Sequence, residues 1–123
     1  MFRILPESRG NVLGVEAMGE LTHEDYANVL LPKLAELFEA EGKVNLLCHL
    51  GPEFTGWDLQ AAWDDTLIGI EHRGDFERLA VVGGPNWIRA LFRFSAVLMT
   101  GEVRVFDEGE LDQAWDWVKG GWA

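Results

Sequence analysis

The chain has a single cysteine, Cys48, among 123 residues, so no intrachain disulfide can form. Stability must come from a packed core, and a reducing compartment fits. Cys48 lies in an apolar run, where a buried, inert thiol is expected. Positive charge is also scarce. Ten Lys and Arg stand against 21 Asp and Glu, for a formal net charge of -11. That excludes a nucleic-acid footprint, which needs a basic excess to displace counterions from phosphates. It also argues against general adhesion to anionic membranes, although a local basic patch is still compatible with peripheral contact. No apolar run reaches the about 18 residues of a spanning helix. Met1 leads directly into FRIL, without the basic and apolar regions of a signal peptide. The expectation is a cytoplasmic protein, with peripheral membrane contact left open. Histidines are few, and no ligand-spaced pair such as H-x-x-x-H occurs, so no metal or cofactor is expected.

What is present is apolar patterning. Hydrophobic residues make up 48% of the chain, enough for one core and one domain over residues 1–123. Phe2–Leu5 and Asn11–Met18 read as a hairpin around the turn-forming PESRG. Thr22 opens a helix, with Asp25 placed to complete its cap, and Tyr26, Val29, Leu30, Leu34, Leu37 and Phe38 follow helical spacing. Pro32 should remove one of its hydrogen bonds and bend the axis, and Gly42 ends it. Val44–Leu50 is nearly continuous in apolar residues, as suits a strand covered on both faces of a parallel sheet. A loop over Gly51–Thr55 precedes a second helix over Gly56–His72. Arg78–Gly83 is a further buried strand, followed by a helix over Pro85–Met99. Val103–Phe106 is the last strand. Asp107 and Glu110 cap a final helix with Leu111, Ala114, Trp115 and Val118 inward. The order ββαβαβαβα predicts an α/β sandwich: a mixed, mostly parallel five-stranded sheet with four helices.

Pro85–Met99 carries only two charges, Arg89 and Arg93. At ~100° per residue, Trp87, Leu91, Phe94 and Leu98 share one face, which suits packing on the sheet. Ile88, Phe92 and Met99 widen the arc on one side and Val97 on the other, beyond what one sheet needs. Trp57 and Trp87 each start a helix after a strand, at the edge where open α/β sheets bind ligands. Trp57, Trp87, Ile88, Arg89, Phe92, Arg93 and Met99 are therefore the expected contact residues. The occupant is an apolar small molecule or a lipid, with the two arginines meeting an anionic head group, or a protein partner, including a second copy in a homodimer.

Catalytic groupings are weak. Cys48 and His49 are adjacent in a strand and point to opposite faces, so they cannot act as nucleophile and base. Gly83-Gly84-Pro85-Asn86 lies between a strand and a helix but lacks the G-x-G-x-x-G and P-loop patterns, and reads as a tight turn. Trp117 falls off the inward stripe of the final helix.

The stretches LTHEDYANVLLPKL, FTGWDLQAAWDD, ERLAVVGGPNWIRAL and EVRVFDEGELDQAWDWVKG, in this order, resemble the SpoIIAA-like family of small bacterial STAS-like proteins. The resemblance implies the anti-sigma-factor-antagonist type of fold and a non-catalytic module. Anti-sigma-factor antagonists carry a phosphorylatable Ser in an Asp-Ser-Ser-Gly-like segment at the start of the second helix. The matching segment here is Glu53-Phe54-Thr55-Gly56-Trp57. It lacks the Asp-Ser pair, so Thr55 alone would inherit a phosphorylation switch. A capping role for Thr55 is favoured over that switch.

Overall fold

The strands form where the chain is apolar on alternate residues, or throughout. In the computed structural model, residues 1–58, 60, 61, 65, 71, 74–95 and 101–120 are described, with positions 87, 91, 92, 94 and 95 described by their backbone. β1 (Phe2–Ile4) pairs antiparallel with β2 (Val12–Leu21), Phe2 opposite Ala17. β3 (Val44–Trp57), β4 (Phe76–Gly83) and β5 (Glu102–Phe106) follow in parallel, so the five strands lie in the sheet in sequence order. This is the mixed, mostly parallel sheet expected.

Both faces of the sheet are covered, which is why its central strands lack polar alternation. Leu13, Val15 and Ala17 of β2, Leu46 and Leu50 of β3 and Val81 of β4 form one core, with Tyr26, Leu30, Leu34 and Leu37 from the first helical segment. On the opposite face, Leu47, Ala80, Val82 and Phe106 pack with Ala114, Trp115, Trp117 and Val118 of the last helix, α3 (Leu111–Val118). Gly14 is small because α3 lies on it: a methyl group there would overlap the Trp115 ring.

The first helical segment starts at Thr22, whose side chain accepts from the Asp25 N–H while the Asp25 carboxylate accepts from Thr22 N. After one α turn, His23–Asp25, the chain widens into a π turn over Tyr26–Leu30 and continues as α1 (Leu31–Glu41). Leu31 N–H bonds the Tyr26 carbonyl, five residues back. Pro32 explains the widening: it lacks an N–H, and its ring crowds the carbonyl four residues earlier. Gly42, at φ 79°, ends α1 with its N–H on the Phe38 carbonyl.

Two boundaries differ from expectation. β3 does not stop at Leu50. Beyond Gly83, which sits opposite Leu50, it leaves β4 but stays with β2 through register shifts, placing Phe54 opposite Gly19 and Trp57 opposite Leu21. The expected loop and helix start, Gly51 to Trp57, are thus strand, and Pro52 is tolerated where β3 has no β4 neighbour. The described part of the second helix is helical backbone at Gln60, Ala61, Asp65 and Glu71; the remainder of Leu59–His72 lies outside the described residues. Three α-helices are therefore delimited among the described residues, not four. α2 (Asn86–Ser95) follows β4, and positions 96–100 of the expected third helix lie outside the described residues. The Pro85 carbonyl accepts from the N–H groups of Ile88 and Arg89, closing the first turn of α2. Asp107 and Glu110 form a capping box around a 3-10 turn, Glu108–Glu110, that leads into α3. Among the described residues, no helix is long and apolar enough to cross a membrane.

Candidate functional site

Three groups of polar residues stand out, one of them on α2. The α2 helix packs on β4 and β5. Ile88 is 1% exposed and belongs to the main core. This corrects its expected place among surplus surface residues: the helix turns the Ile88 side to the sheet. Arg89 is also committed, since its guanidinium pairs with the Asp107 carboxylate at the cap before α3. Arg93, one turn on, is exposed, as is Ala90. Trp87 and Phe92 lie on the described backbone of α2, whereas Met99 lies outside the described residues.

The second group lies on the α1 side of the sheet, near the end of β3. Trp57 donates its indole N–H to the Tyr26 hydroxyl at 2.9 Å, and that hydroxyl donates to Asp65 Oδ1 at 2.9 Å. The Trp57 ring meets Phe54 edge-on at 5.1 Å. Burial pushes the Tyr26 phenol far up, and the Asp65 charge adds to it. Burial likewise raises Asp65, against the opposing Tyr26 hydrogen bond. The Cys48 thiol is pushed up to about 12 by burial and then by Asp65. At neutral pH Tyr26 and Cys48 keep their protons, so the group holds neither a thiolate nor a phenolate nucleophile. Trp57 thus ends a strand instead of starting a helix, and it belongs to the polar chain at the π turn. Its partner Tyr26 starts that turn, and no local sequence signal links Tyr26, Trp57 and Asp65.

The third group lies on the α3 side of the sheet and was missed by sequence reasoning. Cys48 and His49 do face opposite ways, as strand geometry requires. His49, 8% exposed, holds Glu108 Oε1 at 2.8 Å through Nε2, with Glu16 Oε2 3.8 Å from Nδ1. Arg3 in turn binds Glu16 Oε1 at 2.7 and 3.1 Å. Glycines make room for both carboxylates: a methyl at Gly51 would press on Glu16, and one at Gly83 on Glu108. The two carboxylates stand at different ring nitrogens, so they orient the imidazole instead of converging with it on one point. The arrangement ties β1, β2, β3 and the turn before α3 together. Glycines opposite charged positions were the only signal in the sequence, and they are too common to identify it.

Thr55 is exposed within β3 and caps no helix. The helical residues that follow are capped by Asp58, whose Oδ1 accepts from Ala61 N at 2.7 Å. Trp117 is a further correction: it is 8% exposed, with Arg78 and Arg104 each 5.5 Å from its ring centre. The α3 stripe is wide enough to bury Trp115 and Trp117 together, because β5 and the Arg78 side chain reach round to the second ring. Arg78 also donates to the Trp117 carbonyl at 2.6 Å.

These features can be set beside known proteins. A family profile described as SpoIIAA-like matches residues 12–119. A crystal structure of an uncharacterized protein of the DUF3478 family with a SpoIIAA-like fold, from Shewanella loihica PV-4, is 30% identical, with a TM-score of 0.77. The similarity covers 95% of this chain and 93% of that one. No curated protein matches the chain. The profile takes in β2 through α3, including the capped π-turn segment, the strand carrying Cys48 and His49, and the Arg89–Asp107 pair. The chain belongs to the SpoIIAA-like family.

Proposed function

We propose that the chain is a non-catalytic regulatory module that docks a protein partner along α2. The fold is one commonly used in regulatory protein interactions. The observation that carries the choice of partner is the Arg89–Asp107 pair. A lipid reading of α2 needs Arg89 and Arg93 together to meet an anionic head group. Arg89 is already neutralised within the chain, which leaves Arg93 as the exposed arginine of α2 on a molecule of net charge -11. An anionic bilayer repels such a molecule. A protein partner needs only one well-placed cation beside an apolar helix, because charge complementarity sets orientation more than affinity. The non-catalytic part rests on the chemistry of the buried groups. Tyr26 and Cys48 hold their protons, chiefly by burial, and His49 is held by carboxylates.

The test places a photo-crosslinking residue at Ala90 or Arg93, with exposed Asp116 on α3 as the control position. Irradiation in cells is expected to give one and the same protein adduct from positions 90 and 93 and none from 116. Vesicles of phosphatidylglycerol are expected to leave the purified protein in the soluble fraction. Lipid adducts at 90 and 93, or vesicle binding abolished by Arg93→Glu, would overturn this reading in favour of an apolar ligand or membrane.

A further inference from the structure

We infer that two copies of this chain join edge to edge through β5, antiparallel and centred on Val103; this rests on the reading above and names a second copy as the partner of that side of the molecule. β5 is the last strand of the sheet. It pairs with β4 from Arg78 opposite Glu102 to Val82 opposite Phe106, and no described strand lies on its other side. An edge strand presents a row of unpaired backbone donors and acceptors, and proteins usually blunt such an edge with charge. The charges of β5 are placed to match a copy of themselves.

Glu102 and Arg104 are both exposed and sit two residues apart, hence on one face of the strand. Val103 lies between them. A twofold axis through Val103, perpendicular to the sheet, sets Glu102 opposite Arg104 of the second copy and Arg104 opposite its Glu102. Moving the axis to Arg104 sets two guanidinium groups face to face. Moving it to Val105 sets Arg104 opposite Phe106. Directly opposed unlike charges favour pairing and like charges oppose it, so the register is selected. Arg104 is also held ready for this role. Its guanidinium lies 5.1 Å from the Phe106 ring centre and 5.5 Å from that of Trp117, which fixes it beside the edge. The other edge offers no such match: β1 has three residues, and its Arg3 is spent on Glu16.

Centred on Val103, the pairing takes Glu102, Val103 and Arg104 of β5 from each copy, with Val105 opposite Gly101; it is small, but it is not alone at this edge. α2 packs on β5 and β4 and runs along the same side. Because the axis is perpendicular to the sheet, α2 of both copies falls on one side and the two helices come alongside each other. The interface is isologous, the commonest closed arrangement. It gives the nearly charge-free sequence of α2 a neighbour, and it touches α3 through Arg104, which lies against the Trp117 ring.

The full-length chain is to be examined by sedimentation equilibrium as wild type, Glu102→Arg, Arg104→Glu and the double variant. Wild type is expected to dimerise. Each single reversal puts like charges opposite each other twice and is expected to weaken the dimer about tenfold or more. The double variant restores both unlike pairs and is expected to return to within about threefold of wild type. Arg104→Glu gives up its stacking on Trp117, so Glu102→Arg, which touches no core ring, carries the argument if the former unfolds. Amide exchange over residues 102–106 of wild type is expected to slow as concentration rises. A monomeric wild type, a dimer indifferent to Glu102→Arg, or a double variant as weak as the singles would each overturn β5 pairing. An adduct from positions 90 and 93 to a different protein would persist in those cases, so failure here is separable from failure of the α2 reading.

Discussion

Cys48 and His49 show how much one residue step decides. They are neighbours, yet the thiol packs, partly buried, against the core on the α1 side, and the imidazole lies under Glu108 on the other side of the sheet. The alternation of a strand made their separation legible from sequence. Their partners were not legible: Glu16 and Glu108 lie 33 and 59 residues from His49, and only the parallel register brings them together. Arg89 is a similar case, since its partner Asp107 belongs to another cap. Gly14 yields a prediction at this scale. Its missing side chain is the space occupied by the Trp115 ring. Gly14→Ala is expected to lower stability by about 1–3 kcal/mol, as overpacking of a closed core does. Urea unfolding checks this, and the same change in a Trp115→Leu background should cost much less, because the two residues share one space.

At the scale of elements, what is local was readable and what depends on a neighbour was not. Both capping boxes, Thr22 with Asp25 and Asp107 with Glu110, use residues three apart and were visible as patterns. The effect of Pro32 was visible as a lost hydrogen bond, but its form, a π turn from Tyr26, depends on how Tyr26 is held by Trp57 and Asp65. The length of β3 was misjudged because Gly51, Pro52 and Gly56 read as loop, whereas pairing with β2 extends the strand to Trp57. The rotation of α2 was misjudged for the same reason: periodicity gives an apolar arc, and only contact with the sheet shows that Ile88 lies within it. The Thr22 cap can be tested directly. Thr22→Ala removes the acceptor for Asp25 N and is expected to cost about 1 kcal/mol, whereas Thr22→Ser should cost little. The midpoint of urea unfolding reads both.

For the whole molecule, the fold distributes its charge unevenly between surface and core. Among the described residues, Asp65 is the carboxylate whose pKa burial raises. Its pKa is raised above the ordinary 3.8, chiefly by burial. The native state therefore holds the Asp65 proton more tightly than the unfolded chain does. The stability this contributes is complete below pH 3.8 and is lost as pH rises through the raised native value. At higher pH the native state bears either a buried charge or the work of keeping the proton. Asp65→Asn removes that pH-dependent term while its side-chain oxygen can still accept from Tyr26. Asn is thus expected to match or exceed the wild-type stability near pH 8, and its advantage should shrink steadily toward about pH 4. Urea midpoints across that range measure it. An advantage independent of pH would mean that Asp65 does not titrate apart from the surface carboxylates. A loss of stability at every pH would mean that the Trp57–Tyr26–Asp65 chain needs the carboxyl itself. The direction of this dependence opposes the usual acid unfolding of an acidic protein, so the difference between the two chains, and not the wild-type curve, carries the result.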